Sequence, residues 1–252
     1  MSSNLPLRLD SSEWWPKEIK ARVLTQCNIL KSNQYMENLI EYEPFRSIAE
    51  ELNDFILERK IIGYHCTKEH KLGYFNKNGL RTLNIKSHQE EFLQKFQSYF
   101  SDEEIDLLKK RWDSYFHDLN DVGRSNKIWF CLSPNLVTDW PGTRHFFEYF
   151  GGEAIYWPVK DCSSIINKLR NIGNPVVIEA VISPQELRTF SQFTYALVTL
   201  SLFHNRQNSE AYIHDREGFL MRNVTPNEIV NVISKDSFFS VYSRIDSAQL
   251  EE

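Results

Sequence analysis

Ile61-Ile62-Gly63-Tyr64-His65-Cys66-Thr67 is an apolar run with a histidine and a threonine set two residues apart inside it. Its β-branched and aromatic residues predict a short buried strand. Alternation along a strand puts His65 and Thr67 on one face and Tyr64 and Cys66 on the other. An imidazole and a hydroxyl buried together need polar partners, so this is the strand on which chemistry is expected. Upstream, Pro44 opens a helix in which Phe45, Ile48, Leu52, Phe55 and Ile56 recur at three- and four-residue steps, stopping near Lys60. Downstream, residues 68–78 predict a helix ended by Asn78-Gly79.

Further out, residues 88–120 form a second helical region. Phe92, Phe96, Tyr99 and Phe100 share a face, and Ser101-Asp102-Glu103-Glu104 has the form of a capping box. The remainder is strand-rich. Strands are expected at Ile128–Leu132, Ala154–Val159, Pro175–Ser183, Ala211–His214, Ile229–Ile233 and Phe238–Tyr242, and helices at residues 143–150, 162–171 and 184–202. His204 to Ser209 reads as a polar loop. Residues 1–43 read as an arm with a short helix, and the tail after 243 as loose.

The chain has 252 residues, with 29 Lys and Arg against 34 Asp and Glu, a formal net charge of −5. Such a balance excludes a disordered or fibrous chain. It argues against a wholesale electrostatic grip on nucleic acid, while leaving room for a local basic groove. No run is long and apolar enough to span a membrane. The opening MSSNLPLRLDSSEWW lacks the pattern of a signal peptide, so a cytoplasmic location is expected. Cys27, Cys66, Cys131 and Cys162 share no short spacing, so four free thiols and no metal are expected. Aromatic residues reach 13% of the chain, enough for a large core, a surface for stacking rings, or both. The sequence carries no Gly-x4-Gly-Lys loop, GxGxxG turn, HExxH helix, GxSxG elbow or EF-hand loop.

The order strand, His65-x-Thr67, helix, Gly79-Leu80 resembles the opening of the ADP-ribosyltransferase superfamily, whose members bind NAD in a split β-sheet. The segment IWFCLSP, with Ser133, resembles the family's second strand. Ser209-Glu210-Ala211-Tyr212-Ile213, followed by Val224-Thr225-Pro226-x-x-Ile229, resembles its closing part, where the catalytic acid opens a strand and a turn leads into the last one. The resemblance covers roughly residues 61–242. It implies an α+β fold: a split, mostly antiparallel sheet with helices, preceded by a helical N-terminal region. The organisation expected is an arm and helix over 1–60, an ADP-ribosyltransferase-like domain over 61–243 with a helical insertion at about 88–120, and a tail over 244–252.

The activity implied is NAD-dependent ADP-ribosyl transfer, as in intracellular bacterial toxins and phage-defence effectors. Breaking the nicotinamide–ribose bond develops oxocarbenium character on the ribose, and a carboxylate fixing the 2′-hydroxyl stabilises that state. Glu210 is the candidate acid. His65 would donate to a ribose hydroxyl with Thr67 beside it, and the backbone near Gly63 would hold the nicotinamide amide. Tyr64, Phe130 or Tyr156 would stack on the nicotinamide ring. Arg124 and Arg144, flanking the second strand, would reach NAD phosphates. Glu153, after Gly151-Gly152, is a second-rank acid, and Glu179 reads as an edge residue facing solvent.

The His65 motif lacks a preceding arginine and so fits the family's histidine type. Ser133 stands where many such members have tyrosine. Asn208 occupies the position two residues before Glu210, so the signature for arginine modification is missing. Modification of a protein arginine is therefore not favoured, and the resemblance to histidine-type toxins of this size implies nucleic acid over protein as acceptor, with an antitoxin protein as partner and the aromatic N-terminal arm as its contact. Simple NAD hydrolysis, an inactive nucleotide- or partner-binding module on the same scaffold, and an interaction protein with no nucleotide site are the alternatives.

Overall fold

The computed structural model describes residues 5–117, 123–139, 141–213 and 216–248. Four helices come first: α1 (Lys17–Thr25), α2 (Cys27–Ser32), α3 (Met36–Ile40) and α4 (Glu43–Leu57). Pro44 sits in the first turn of α4, where no amide hydrogen is needed, and Phe45, Ile48, Ala49, Leu52 and Ile56 form its buried stripe. Strand β1 (Ile61–Glu69) follows, then α5 (Tyr74–Asn78), α6 (Ile85–Phe96) and α7 (Asp102–Tyr115). Ser101 and Glu104 close the expected capping box at the start of α7. Next come β2 (Ile128–Cys131), α8 (Pro134–Asp139), α9 (Pro141–Glu148), α10 (Glu153–Tyr156) and α11 (Ser163–Asn171). The chain closes with β3 (Asn174–Ile182), α12 (Thr194–Gln207), β4 (Glu217–Leu220), β5 (Ile229–Ser234) and α13 (Lys235–Ala248).

The fold is α+β, with an open five-stranded sheet in the order β4-β2-β1-β3-β5. β1 and β2 run antiparallel with Tyr64 opposite Cys131. β3 and β5 run antiparallel from Val176 opposite Ser234 to Glu179 opposite Asn231, with an irregularity between Glu179 and Ala180. The chain divides into two compact units. Unit one comprises Met1–Tyr64, Phe130–Leu136 and Val181–Phe219, and unit two His65–Trp129, Val137–Ala180 and Leu220–Glu252. In unit one, α12 is buried continuously from Thr194 to His204. In unit two, Phe92, Phe100, Leu108, Trp112, Ile155 and Tyr156 anchor an aromatic core.

Several expected elements differ. β1 runs on through Glu69, so the helix that follows begins only at Tyr74. Residues 154–159 are no strand: they form α10 and a 3-10 turn. Gly151 and Gly152 both have positive φ, 87° and 65°, and turn the chain so that Glu153 enters a helix as a first-turn acid. Burial of Ile155, Tyr156 and Val159 follows a helical step. The helix expected over 184–202 is displaced to Thr194–Gln207 and absorbs most of the expected loop at 204–209. Ala211–Ile213 is irregular rather than strand, and His214 lies outside the described residues. Phe238–Tyr242 belongs to α13, whose start is capped by Ser234 Oγ accepting from the Ser237 amide at 3.3 Å.

Glu179 does not face solvent: it is buried and its Oε2 accepts from Asn231 Nδ2 at 2.7 Å. The N-terminal arm is also packed. Trp14 stacks on Phe55 at 6.1 Å, and buried Trp15 donates from Nε1 to Thr199 Oγ1 at 3.0 Å. No helix among the described residues is long and apolar enough to cross a membrane.

Candidate functional site

Burial along β1 separates its two faces. Tyr64, Cys66 and Lys68 are buried, whereas His65 and Thr67 are half-buried. The face carrying the histidine and threonine is thus half-open at these two positions, with Gly63 and Glu69 on the same face buried to either side. His65 Nδ1 lies 2.8 Å from the Trp129 carbonyl oxygen. A carbonyl accepts only, so Nδ1 carries the hydrogen and Nε2 is the acceptor of the neutral ring. Burial pushes the imidazole below its ordinary pKa, which favours that neutral form. In that form Nε2 can accept a hydrogen bond but not donate one. Lys68, on the opposite face, donates from Nζ to the Arg170 carbonyl at 2.5 Å, and burial lowers its pKa.

Unit one holds Gly63, Tyr64, Phe130, Ser133 and Glu210. A side chain at Gly63 would displace Ile182 Cδ1 and approach Phe130 Cδ1 at 3.1 Å, so the neighbours pack closely over this glycine. Phe130 is fully buried against it. Tyr64 is also fully buried, and its hydroxyl accepts from Arg8 Nη1 at 3.0 Å. These two rings form core where stacking on a ligand was expected. Ser133 is buried, and its Oγ accepts from the Leu136 amide at 3.3 Å, capping α8.

Glu210 opens no strand. It is exposed in the turn after α12, with Oε2 accepting from Gln34 Nε2 at 3.0 Å. The acid that does open a strand is Glu217, the half-buried first residue of β4. The Leu132 amide, just past β2, donates to the Arg216 carbonyl at 3.2 Å and so places the start of β4 beside the end of β2. Gly218, directed to the other face by alternation, would meet Leu187 at 2.8 Å if it carried a Cβ. After β4, Thr225 caps a 3-10 turn with Glu228, and that turn leads into β5. The signal for Glu217 was present in the sequence: it is the acid immediately before Gly218-Phe219-Leu220 and the Val224–Ile229 turn.

Unit two holds His65, Thr67, Arg124, Arg144, Glu153 and Tyr156, and brings three of these together. Arg124 Nε donates to Glu153 Oε2 at 2.6 Å, with side-chain exposures of 26% and 30%. Tyr156 follows on α10, buried beside His145, Tyr149 and Trp157. Burial, then the Glu153 charge, raise its phenol pKa well above the ordinary value. Arg144 stands apart. It is exposed and pairs with Glu148 at 2.5 Å one turn along α9.

Among the described residues no group of His, Cys, Asp and Glu side chains is arranged to hold a metal ion. No family model, no curated protein and no solved structure matches the chain.

Proposed function

We propose that the chain is an NAD-dependent ADP-ribosyltransferase of the histidine type, with Glu217 rather than Glu210 as its acid. The observation that carries this reading is the position of Glu217: an acid opening β4, with the capped Thr225–Glu228 turn leading on into the last strand. The half-open His65 and Thr67 face of β1 and the tightly packed Gly63 are in keeping with it.

In this chemistry the bond between ribose C1′ and the nicotinamide nitrogen breaks. Its electron pair leaves with nicotinamide, and positive charge develops on the ribose. Glu217 would hold the 2′-hydroxyl and stabilise that charge. An acceptor oxygen or nitrogen then bonds to C1′ and loses its proton. With water as acceptor the same steps give NAD hydrolysis. The toxin or phage-defence role, and the antitoxin such a role requires, rest on the sequence resemblance alone. In the N-terminal arm, half-buried Trp14 stacks on Phe55 and Trp15 is buried, so a contact through this arm would use its more exposed residues.

The test is nicotinamide release from NAD by the purified chain. Release is expected to fall at least about a hundredfold in Glu217→Gln, as for loss of an electrostatic stabiliser, and to be unchanged in Glu210→Gln. Equal loss in both variants, or loss only in Glu210→Gln, removes Glu217 from the role. Absence of both release and NAD binding in the wild type ends the transferase reading.

A further inference from the structure

We propose that a basic, aromatic face of unit two, built by His70, Lys71, Tyr74, Arg81, Lys95 and Tyr99, binds single-stranded nucleic acid. β1 ends at Glu69, and the chain then exposes His70, Lys71 and Leu72, the last at 94%. Beyond this turn α5 supplies Tyr74, and the end of α6 supplies Lys95 and Phe96.

The rings form one continuous set. The His70 centroid lies 4.9 Å from that of Tyr74, 6.1 Å from Phe96 and 6.3 Å from Phe150. Tyr99 meets Phe96 edge-on at 6.1 Å. His70 and Tyr99 are exposed, while Tyr74 and Phe96 are half-buried, so the set presents ring surface to solvent.

Cations border it. Lys95 Nζ stands 5.9 Å over the Tyr74 ring, and the charges of Lys95 and Lys71 both reach His70. Arg81 lies close enough to Tyr74 to interact with its hydroxyl. Two carboxylates oppose them. Glu91 pairs with Arg81 at 2.8 Å and Lys95 at 3.7 Å. Buried Glu69 accepts from the Phe75 amide at 3.3 Å.

Exposed rings bordered by lysine and arginine are what a single strand needs: bases stack on any π-face while phosphates meet the cations. A duplex hides its base faces and gains nothing from the rings. With Lys71, Arg81 and Lys95 against Glu69 and Glu91, this surface carries a small local excess of positive charge on a chain of net charge −5. Taken with the proposed transfer chemistry, the acceptor is then a nucleic acid. Binding is measured without NAD, so the two readings fail separately.

The probe is a fluorescein-labelled single-stranded oligonucleotide of about a dozen nucleotides, followed by anisotropy on the full chain, with the matching duplex and heparin as competitors. Binding in low salt that weakens as salt rises is expected. Tyr99→Ala, at an exposed ring, is expected to weaken it about fivefold or more, as for loss of one stacked base. Lys71→Ala with Lys95→Ala is expected to weaken it about tenfold or more and to flatten the salt dependence. No binding in low salt overturns the proposal. So does unchanged affinity in these variants, or a duplex that binds as tightly and ignores Tyr99→Ala, which marks a general polyanion surface. Binding to anionic vesicles that the oligonucleotide does not displace overturns it in favour of a membrane contact.

Discussion

The cores of the two units solve different packing problems. In unit one α12 is buried on every side from Thr194 to His204, so the polar atoms it carries inward call for partners, and most find one, His204 Nδ1 being the exception. Thr199 receives the Trp15 indole, Ser201 donates to the Val198 carbonyl, and His204 Nε2 lies 2.8 Å and 2.9 Å from the carbonyls of Leu30 and Asn33. Unit two closes instead on rings packed edge to face. Phe92 meets Trp112 at 6.0 Å and 80°, and Phe96 meets Phe150 at 4.9 Å and 69°. Its principal internal tie is Trp112 Nε1 donating to the Ile155 carbonyl at 3.0 Å. Polar bonds thus fix the central helix of one unit, while ring shape fixes the core of the other.

Substitutions that remove shape should therefore hurt unit two most. Trp112→Ala is expected to cost about 3–5 kcal/mol in urea unfolding. Trp112→Phe keeps most of the ring but leaves the Ile155 carbonyl without this donor, a loss of about 1–3 kcal/mol. If the two variants lose equally, the hydrogen bond rather than the ring holds this core. In unit one the order should reverse. His204→Leu, which keeps the apolar volume, is expected to cost about 0.5–1.5 kcal/mol, because the Leu30 carbonyl keeps the Asn33 amide and the Asn33 carbonyl keeps Asn208 Nδ2 when the imidazole donor is lost. Faster amide exchange confined to α2 and α12 would locate that loss. A neutral outcome would show that α12 is held by burial alone.

The same contrast sets what could be read from sequence. α4 and α7 carry an apolar stripe against a polar face, so their period and caps were visible. α12 has no polar face to mark its limits, and its position was misread by about ten residues at the start. α10 was hidden for another reason: the apolar run after Gly151-Gly152 is too short for its period to separate helix from strand, and the two positive-φ glycines decided the matter. The His65 and Thr67 face was legible because alternation is local. The strand-opening acid was misplaced because its identity depends on where β4 begins. The local order before Gly218-Phe219-Leu220 points to Glu217, but the start of β4 is fixed by backbone bonds from Leu132 to Arg216 and between Arg188 and Phe219, the first a contact remote in sequence.

Acid should also act on unit two. Burial lowers the pKa of both His65 and His88 there, and His88 Nε2 lies 2.9 Å from the Gly151 carbonyl. An unfolded histidine titrates near about 6.5. Below that value the unfolded chain takes up protons that the folded chain refuses, so stability present at neutral pH is lost as pH falls toward the depressed folded pKa values. Melting temperature should drop between about pH 7 and about pH 5, the range around that reference value. In His88→Gln, whose amide can still donate to Gly151, the drop should be shallower. An unchanged slope would mean that His88 titrates as freely folded as unfolded.

The smallest effect is expected where charge, rather than shape or a buried hydrogen bond, makes the contact. Arg144 is 76% exposed and pairs with Glu148 one turn along α9, in the reverse of the favoured acid-then-base order. The Glu148 charge also sits at the helix C-terminus, where the dipole opposes it. Arg144→Ala should therefore change stability by no more than about 0.5 kcal/mol, and less in high salt. Arg124 offers the internal comparison. Its pair with Glu153 is more enclosed, and there the acid lies at a helix start, where the dipole favours it. Arg124→Ala should exceed Arg144→Ala, approaching about 1 kcal/mol. Equal values in a urea series would mean that enclosure adds nothing to the Arg124 pair, and that Glu153 is held by its place at the start of α10 alone.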